Sequence, residues 1–206
     1  MSKAKHLVFI FLVGLCACKQ AGRKKHSINP EAKKLADSAV YIGIHQQDYA
    51  TAIYLLNQAV EIDSNYTGAY LSKFAFQGLM KPNDQDKMLE TLQKIIHLLP
   101  EAPDYYLYAG LIYIKKGDTI LSKQYLQDAI VHYDKFLDTM KKSNIAHGIL
   151  LMSKGFSLIL IGDEEKGHAI LKEAYDQETD TSLKKKFYAA VKKSRKEILD
   201  TLSFDK

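Results

Sequence analysis

From Pro30 onward the apolar positions recur at three- and four-residue steps, and strict apolar–polar alternation never runs beyond a few positions. That spacing follows one face of a 3.6-residue period and predicts amphipathic helices rather than strands. Asn29-Pro30-Glu31 supplies a helix start: a capping side chain, then proline and an acid in the first turn. Breaks are expected at Gln47-Asp48, Asp63-Ser64-Asn65, Lys81-Pro82-Asn83-Asp84, Pro100-Glu101-Ala102-Pro103, Lys116-Gly117-Asp118, Gly162-Asp163 and Asp176 to Ser182. Between them lie helices of roughly 12 to 16 residues, with a longer one over Ile120 to Met140. Short turns make sequence neighbours antiparallel, so the expected fold class is all-α.

The first residues follow a different pattern. Lys3 and Lys5 precede an unbroken apolar run, Leu7 to Leu15. At about 1.5 Å per residue, such a run reaches only half of a ~30 Å hydrocarbon core, and the layout is that of a secretory signal. The run ends in Leu15-Cys16-Ala17-Cys18, which resembles a bacterial lipobox. That resemblance implies cleavage before Cys18, with acyl chains carried on its thiol and its new amine. The expected organisation is a signal peptide over 1–17, a lipidated basic tether over 18–30, a helical repeat domain over 31–182 and a capping helix over 183–206.

Composition changes this picture at one point. Of 206 residues only two are cysteine, and both lie in the first 18. A disulfide framework, a cysteine-ligated metal and a thiol nucleophile are thereby excluded from the body. The formal charge of +5 is unevenly spread. Lys19 and Arg23-Lys24-Lys25-His26 crowd the tether, where lysine and arginine reinforce an acyl anchor at an anionic surface. Cleavage before Cys18 removes Lys3 and Lys5 and leaves a side-chain excess of +3.

An internal frame narrows the all-α class. Residues 103–136 carry Tyr106-x-x-Ala109-Gly110-x-x-Tyr113, then Gly117-Asp118, then Ser122-x-x-x-Leu126-x-x-Ala129. Thirty-four residues upstream stand Ala75-Phe76, Leu79, Asn83, Met88, Leu92, Ile95 and Pro100. Before them come Ala39-Val40, Gly43, Asp48-Tyr49, Ala52, Leu56 and Ala59; after the insertion near Phe136 to Asn144 come Leu151, Gly155, Leu158, Gly162-Asp163, Gly167, Leu171 and Ala174. The pattern resembles the tetratricopeptide repeat, a 34-residue helix–turn–helix, over about residues 33 to 181. Phe76 departs from it, standing where the family has a small residue. The resemblance implies a right-handed helix–turn–helix solenoid of about four repeats. Leu183, Phe187, Ala190-Val191, Ser194, Ile198 and Leu202 form one apolar stripe, with lysines on the opposite face, and suit the terminal cap such a solenoid needs.

Catalytic chemistry finds little support. No HExxH, G-x-S-x-G or GxxxxGK[ST] occurs, and no two of the seven histidines are spaced i, i+4 on one helix. The carboxylates cluster at helix starts and turns, where the helix dipole and solvation account for them. No enzyme activity, metal, cofactor or nucleic-acid partner is expected.

Binding is the better prospect, because stacked repeats present an extended concave surface. In the family resembled, the first helix of each repeat lines it. That places Asp37, Tyr41 and His45, then Tyr70, Lys73 and Gln77, then Tyr108, Leu111 and Lys115, then Ile149, Met152 and Phe156 on the surface. Of these, Tyr41, Tyr70, Lys73, Tyr108, Leu111, Met152 and Phe156 are the expected partner-binding residues. The chaperone-binding members grip a terminal carboxylate with Lys, Arg and Asn; the matching sites here hold Asp37, Tyr41, Phe74, Asp104 and Tyr108. Recognition of an acidic C-terminal tail is not expected.

The function expected is that of a membrane-anchored adaptor for a protein or peptide partner in the bacterial envelope, facing the periplasm from the outer membrane. The alternatives are an immunity or inhibitor lipoprotein that neutralises a toxin, and a glycan-handling lipoprotein or hydrolase. The absence of Trp counts against an aromatic sugar platform.

Overall fold

The computed structural model describes residues 26–140 and 145–201; Cys18, the signal-peptide residues and Leu202 lie outside them. Among the described residues every regular element is helical: α1 (Pro30–Tyr41) with a π-helical turn (Ile42–Gln46), α2 (Tyr49–Ile62), α3 (Thr67–Leu79), α4 (Gln85–Leu98), α5 (Pro103–Lys115), α6 (Thr119–Thr139), α7 (Ile145–Ile161), α8 (Glu164–Gln177), α9 (Thr181–Val191) and α10 (Arg195–Thr201). The starts are written in the sequence. Asn29 accepts the Glu31 and Ala32 amides, and Asp48, Asp84 and Asp118 each accept the amide three residues on. Each satisfies a backbone donor that a helix start otherwise leaves unpaired.

The described residues form two units, one up to Glu101 and one from Ala102 onward. In the first, each helix packs on its successor, α1 on α2, α2 on α3 and α3 on α4. Its core is built largely of alanine: Ala32, Ala36 and Ala39 of α1 meet Ala52, Leu56 and Ala59 of α2, with Ala69 and Phe76 of α3. Small side chains at the crossing let two helix backbones approach closely.

In the second unit α5 packs on α6, α6 on α7, α7 on α8 and α8 on α9. Leu107, Leu111, Leu126, Ala129, Tyr133, Ile159 and Leu171 form its main core. A Cβ at Gly110 would lie 2.7 Å from Leu126 Cγ, so this glycine sets the α5–α6 approach. The α7–α8 crossing is tighter. A Cβ on Gly155 would stand 3.0 Å from the Gly167 carbonyl oxygen, and one on Gly167 would stand 2.8 Å from that of Gly155. The turns after α5 and α7 use Gly117 (φ 75°) and Gly162 (φ 100°), in left-handed conformations that side chains disfavour.

The C-terminal stripe departs from expectation. Where one capping helix is expected over 183–206, the described residues hold two, α9 and α10, broken after Val191. Ser194 and Glu197 form a reciprocal cap: the Ser194 amide donates to Glu197 Oε2 at 2.8 Å, and the Glu197 amide donates to Ser194 Oγ at 3.3 Å. This S-x-x-E signal restarts the helix, and its local hydrogen bonds outcompete continuation of the stripe. The two halves then serve different cores. Phe187 packs with Leu151 and Ala174, whereas Ile198 joins the main core.

Candidate binding surfaces

The first described helix, α1, and the turn that ends it offer an open apolar group. α1 ends in the π turn, and Gln47 follows in the left-handed region at φ 56°. Within that turn Gly43 is buried because a Cβ there would fall on the Phe76 ring. Phe76, the large residue where the repeat pattern has a small one, is thus matched by a glycine opposite. With Gly43 turned inward, the neighbouring side chains face water: Tyr41 is 59% exposed and Ile44 61%. The His45 ring sits 4.7 Å from that of Tyr41, centroid to centroid.

The other expected partner-binding residues are placed differently. Tyr70 is only 6% exposed, which corrects its assignment to the partner-facing surface. It shares a buried face of α3 with Gln77, whose amide donates to the Lys87 carbonyl of α4. Burial, with the Asp63 carboxylate adding to it, pushes the Tyr70 hydroxyl up. Lys73 lies half-buried one turn on; burial pulls its amine down, Glu90 of α4 opposes that, and Lys87 adds to it.

In the second unit Leu111, 9% exposed, belongs to the main core and is likewise corrected as a partner-facing residue. Tyr108, Met152 and Phe156 are half-buried and pack against that core. Helical spacing puts a side chain on a face; it does not say whether another helix covers that face.

Beside Tyr108 stands a polar cluster with no sequence signal beyond Asp104. Tyr133 of α6, fully buried, donates to Asp104 Oδ1 of α5 at 2.5 Å, and the Ser153 hydroxyl of α7 hydrogen-bonds the same phenol. Burial raises the Asp104 carboxyl despite the Tyr133 hydrogen bond, and burial, then Asp104, holds the phenols of Tyr108 and Tyr133 well above their ordinary value. The cluster pins α5, α6 and α7 together. A cavity of about 200 Å³ on the same unit, bordered by Ile114, Ser122, Leu160 and Arg195, is below the ~300 Å³ at which ligand pockets begin. Among the described residues no group of three His, Cys, Asp or Glu side chains is placed to hold a metal ion.

One contact ties the expected tether to the first unit. Asp63, buried at the end of α2, binds the His26 ring at 2.8 and 3.0 Å, the Asn29 amide at 3.0 Å and the Asn65 amide at 3.2 Å. Burial pushes the Asp63 carboxyl up, but the Asn29 amide, His26 and the Asn65 amide outweigh it and leave it below its ordinary value. His26 and Asp63 lie 37 positions apart, and no periodicity connects them. A further surface, the outer face of α9, combines Lys185, Tyr188 and Lys192.

Comparison with known proteins adds no identity: no protein-family model and no curated protein matches the sequence.

Proposed function

We propose that this protein is a lipid-anchored, tetratricopeptide-like adaptor that holds a protein partner in the bacterial cell envelope and catalyses no reaction. The observation that carries the proposal is the exposed Tyr41–Ile44–His45 group at the end of α1 and in its π-helical turn, in the first-helix position from which the family resembled recognises its partners. Tyrosine and isoleucine exposed together offer a desolvatable contact that a protein partner can cover. Lipidation at Cys18 supplies the anchor. From there to the His26–Asp63 contact run eight residues, 18–25, which at most span about 28 Å. The first unit is then held close to the periplasmic side of the outer membrane.

The test is crosslinking and pulldown from intact membranes, with Cys18→Ala as the anchoring control. Stable envelope partners are expected, lost or weakened on Tyr41→Ala and His45→Ala, while Tyr54→Ala, exposed on α2, leaves them in place. Cys18→Ala should leave the chain extractable from membranes by high salt and abolish globomycin-sensitive processing. Partners indifferent to Tyr41 and His45, or a chain with none, would sink the adaptor reading.

A further inference from the structure

Between Thr181 and Lys196 the chain carries seven Lys or Arg and no Asp or Glu. One apolar side of this segment is turned inward: Phe187 and Ala190 are buried in the second unit, and Leu183 and Val191 are half-buried. Insertion of an apolar face into a bilayer is therefore not open to α9. Its outer face remains, and it is cationic. Lys185, Tyr188, Ala189 and Lys192 are exposed along one side of the helix, with Lys184 at its edge. Tyr188 is 50% exposed, and its ring carries the Lys192 ammonium 4.2 Å from its centroid. Lys192 Nζ also donates to the Tyr188 hydroxyl, and Lys184 Nζ lies over the Tyr175 ring while donating to the Glu178 carbonyl.

The nearby acids are engaged elsewhere. Asp180 caps α9, Asp200 pairs with Lys196, Glu164 accepts the Arg195 amide, and Glu197 caps α10 beside Lys193 and Lys196. Among the described residues Lys185 and Lys192 have no carboxylate partner. Both are exposed, Lys192 folded over the Tyr188 ring.

We infer that the outer face of α9 is a docking surface for an anionic phospholipid membrane, bound peripherally by Lys185 and Lys192, with the half-buried Lys193 just past the helix end and Tyr188 at headgroup level. Two features favour a lipid surface over an acidic protein or a nucleic acid. The donors there are lysines, flexible point charges suited to a diffuse layer of headgroups, whereas paired recognition of one carboxylate or phosphate favours arginine. A tyrosine among lysines is also the residue combination that settles at membrane interfaces. This surface is independent of the proposed acyl anchor and of the Tyr41 group.

The test is co-sedimentation of the full chain with phosphatidylcholine vesicles, with and without phosphatidylglycerol, at low and high salt. The comparison is with Lys185→Gln/Lys192→Gln/Lys193→Gln and with Tyr188→Ala. All variants share residues 1–25, so any contribution of that segment cancels. Each lysine near an anionic surface is worth about fivefold in partitioning, so the triple variant should lose on the order of a hundredfold. Tyr188→Ala should lose a few-fold, and high salt should erase the difference between wild type and triple variant. Unchanged circular dichroism in both variants is expected, because the substituted side chains lie outside the core. A triple variant that partitions like wild type would overturn the inference. So would equal binding with and without phosphatidylglycerol, or tighter binding to soluble polyglutamate or DNA than to the anionic vesicles.

Discussion

Gly155 and Gly78 both sit inside helices, yet replacing them with alanine should move stability in opposite directions. At Gly155 the new methyl would meet Leu171 at 2.8 Å and the Gly167 carbonyl at 3.0 Å. The carbonyl is backbone and cannot swing aside, so α7 and α8 must part. That strain should cost about 1–3 kcal/mol. At Gly78 the nearest atom is Met88 Cε at 3.7 Å, an ordinary contact. There alanine removes backbone freedom from the unfolded chain and should stabilise by about 0.5 kcal/mol. Urea denaturation followed by circular dichroism reads both; a Gly155→Ala chain as stable as wild type would refute the close-crossing account. The glycines are visible in the sequence. Their opposite signs are not, because they depend on what stands across the crossing.

The clearest lesson at the level of elements comes from the C-terminus. The stripe from Leu183 to Leu202 reads as one helix by periodicity alone, and four residues, Ser194 to Glu197, are enough to divide it. That signal was legible, since S-x-x-E is a helix start wherever it falls. The hydrophobic period hid it. Ser194→Ala removes the acceptor of the Glu197 amide and one donor to its carboxylate. The expected cost is about 1 kcal/mol, confined to α10. Hydrogen exchange should show faster exchange at the Glu197 and Ile198 amides, with the α5–α6 amides unchanged. A slowing across residues 191–195 would instead mean that the cap was holding apart a helix otherwise able to run through. Most other boundaries agree with the sequence to within about a residue, because each rests on a local device: Asp48, Asp84 and Asp118 as caps, Gly117 and Gly162 as stops.

At the scale of the molecule, two carboxylates, the buried Asp63 and the part-buried Asp104, contribute opposite responses to acid in its two units. The folded-state pKa of Asp63, in the first unit, lies below its ordinary value, because burial is outweighed by the Asn29 amide, His26 and the Asn65 amide. Its contribution is therefore fully present above the ordinary carboxylate pKa and is lost as pH falls through the depressed value. The folded-state pKa of Asp104, in the second unit, is raised by burial. Ionising it costs the folded state. That cost is absent at low pH and grows as pH rises toward the raised value. Asp63→Asn should destabilise the first unit near neutrality and flatten its acid dependence. Asp104→Asn should leave the second unit equally or more stable near neutrality, since an amide oxygen still accepts from Tyr133. Amide exchange of each unit against pH measures both, and a destabilised Asp104→Asn would contradict the burial argument.

Taken alone, the sequence determined the helical class, the number and length of most helices and the caps that begin them. These depend on residues within a turn or two of one another, where period and capping chemistry act directly. It also set out the repeat frame and the expectation of an acylated Cys18, which rests on local order as well. Tertiary structure decided which faces remain open. The frame assigns Tyr41 and Tyr70 alike to the partner-facing side of a first helix, yet one is exposed and the other buried. The same packing joined His26 to Asp63 and Tyr133 to Asp104 across 37 and 29 positions. Burial is a property of what lies opposite, and what lies opposite comes from distant parts of the chain that no local pattern encodes.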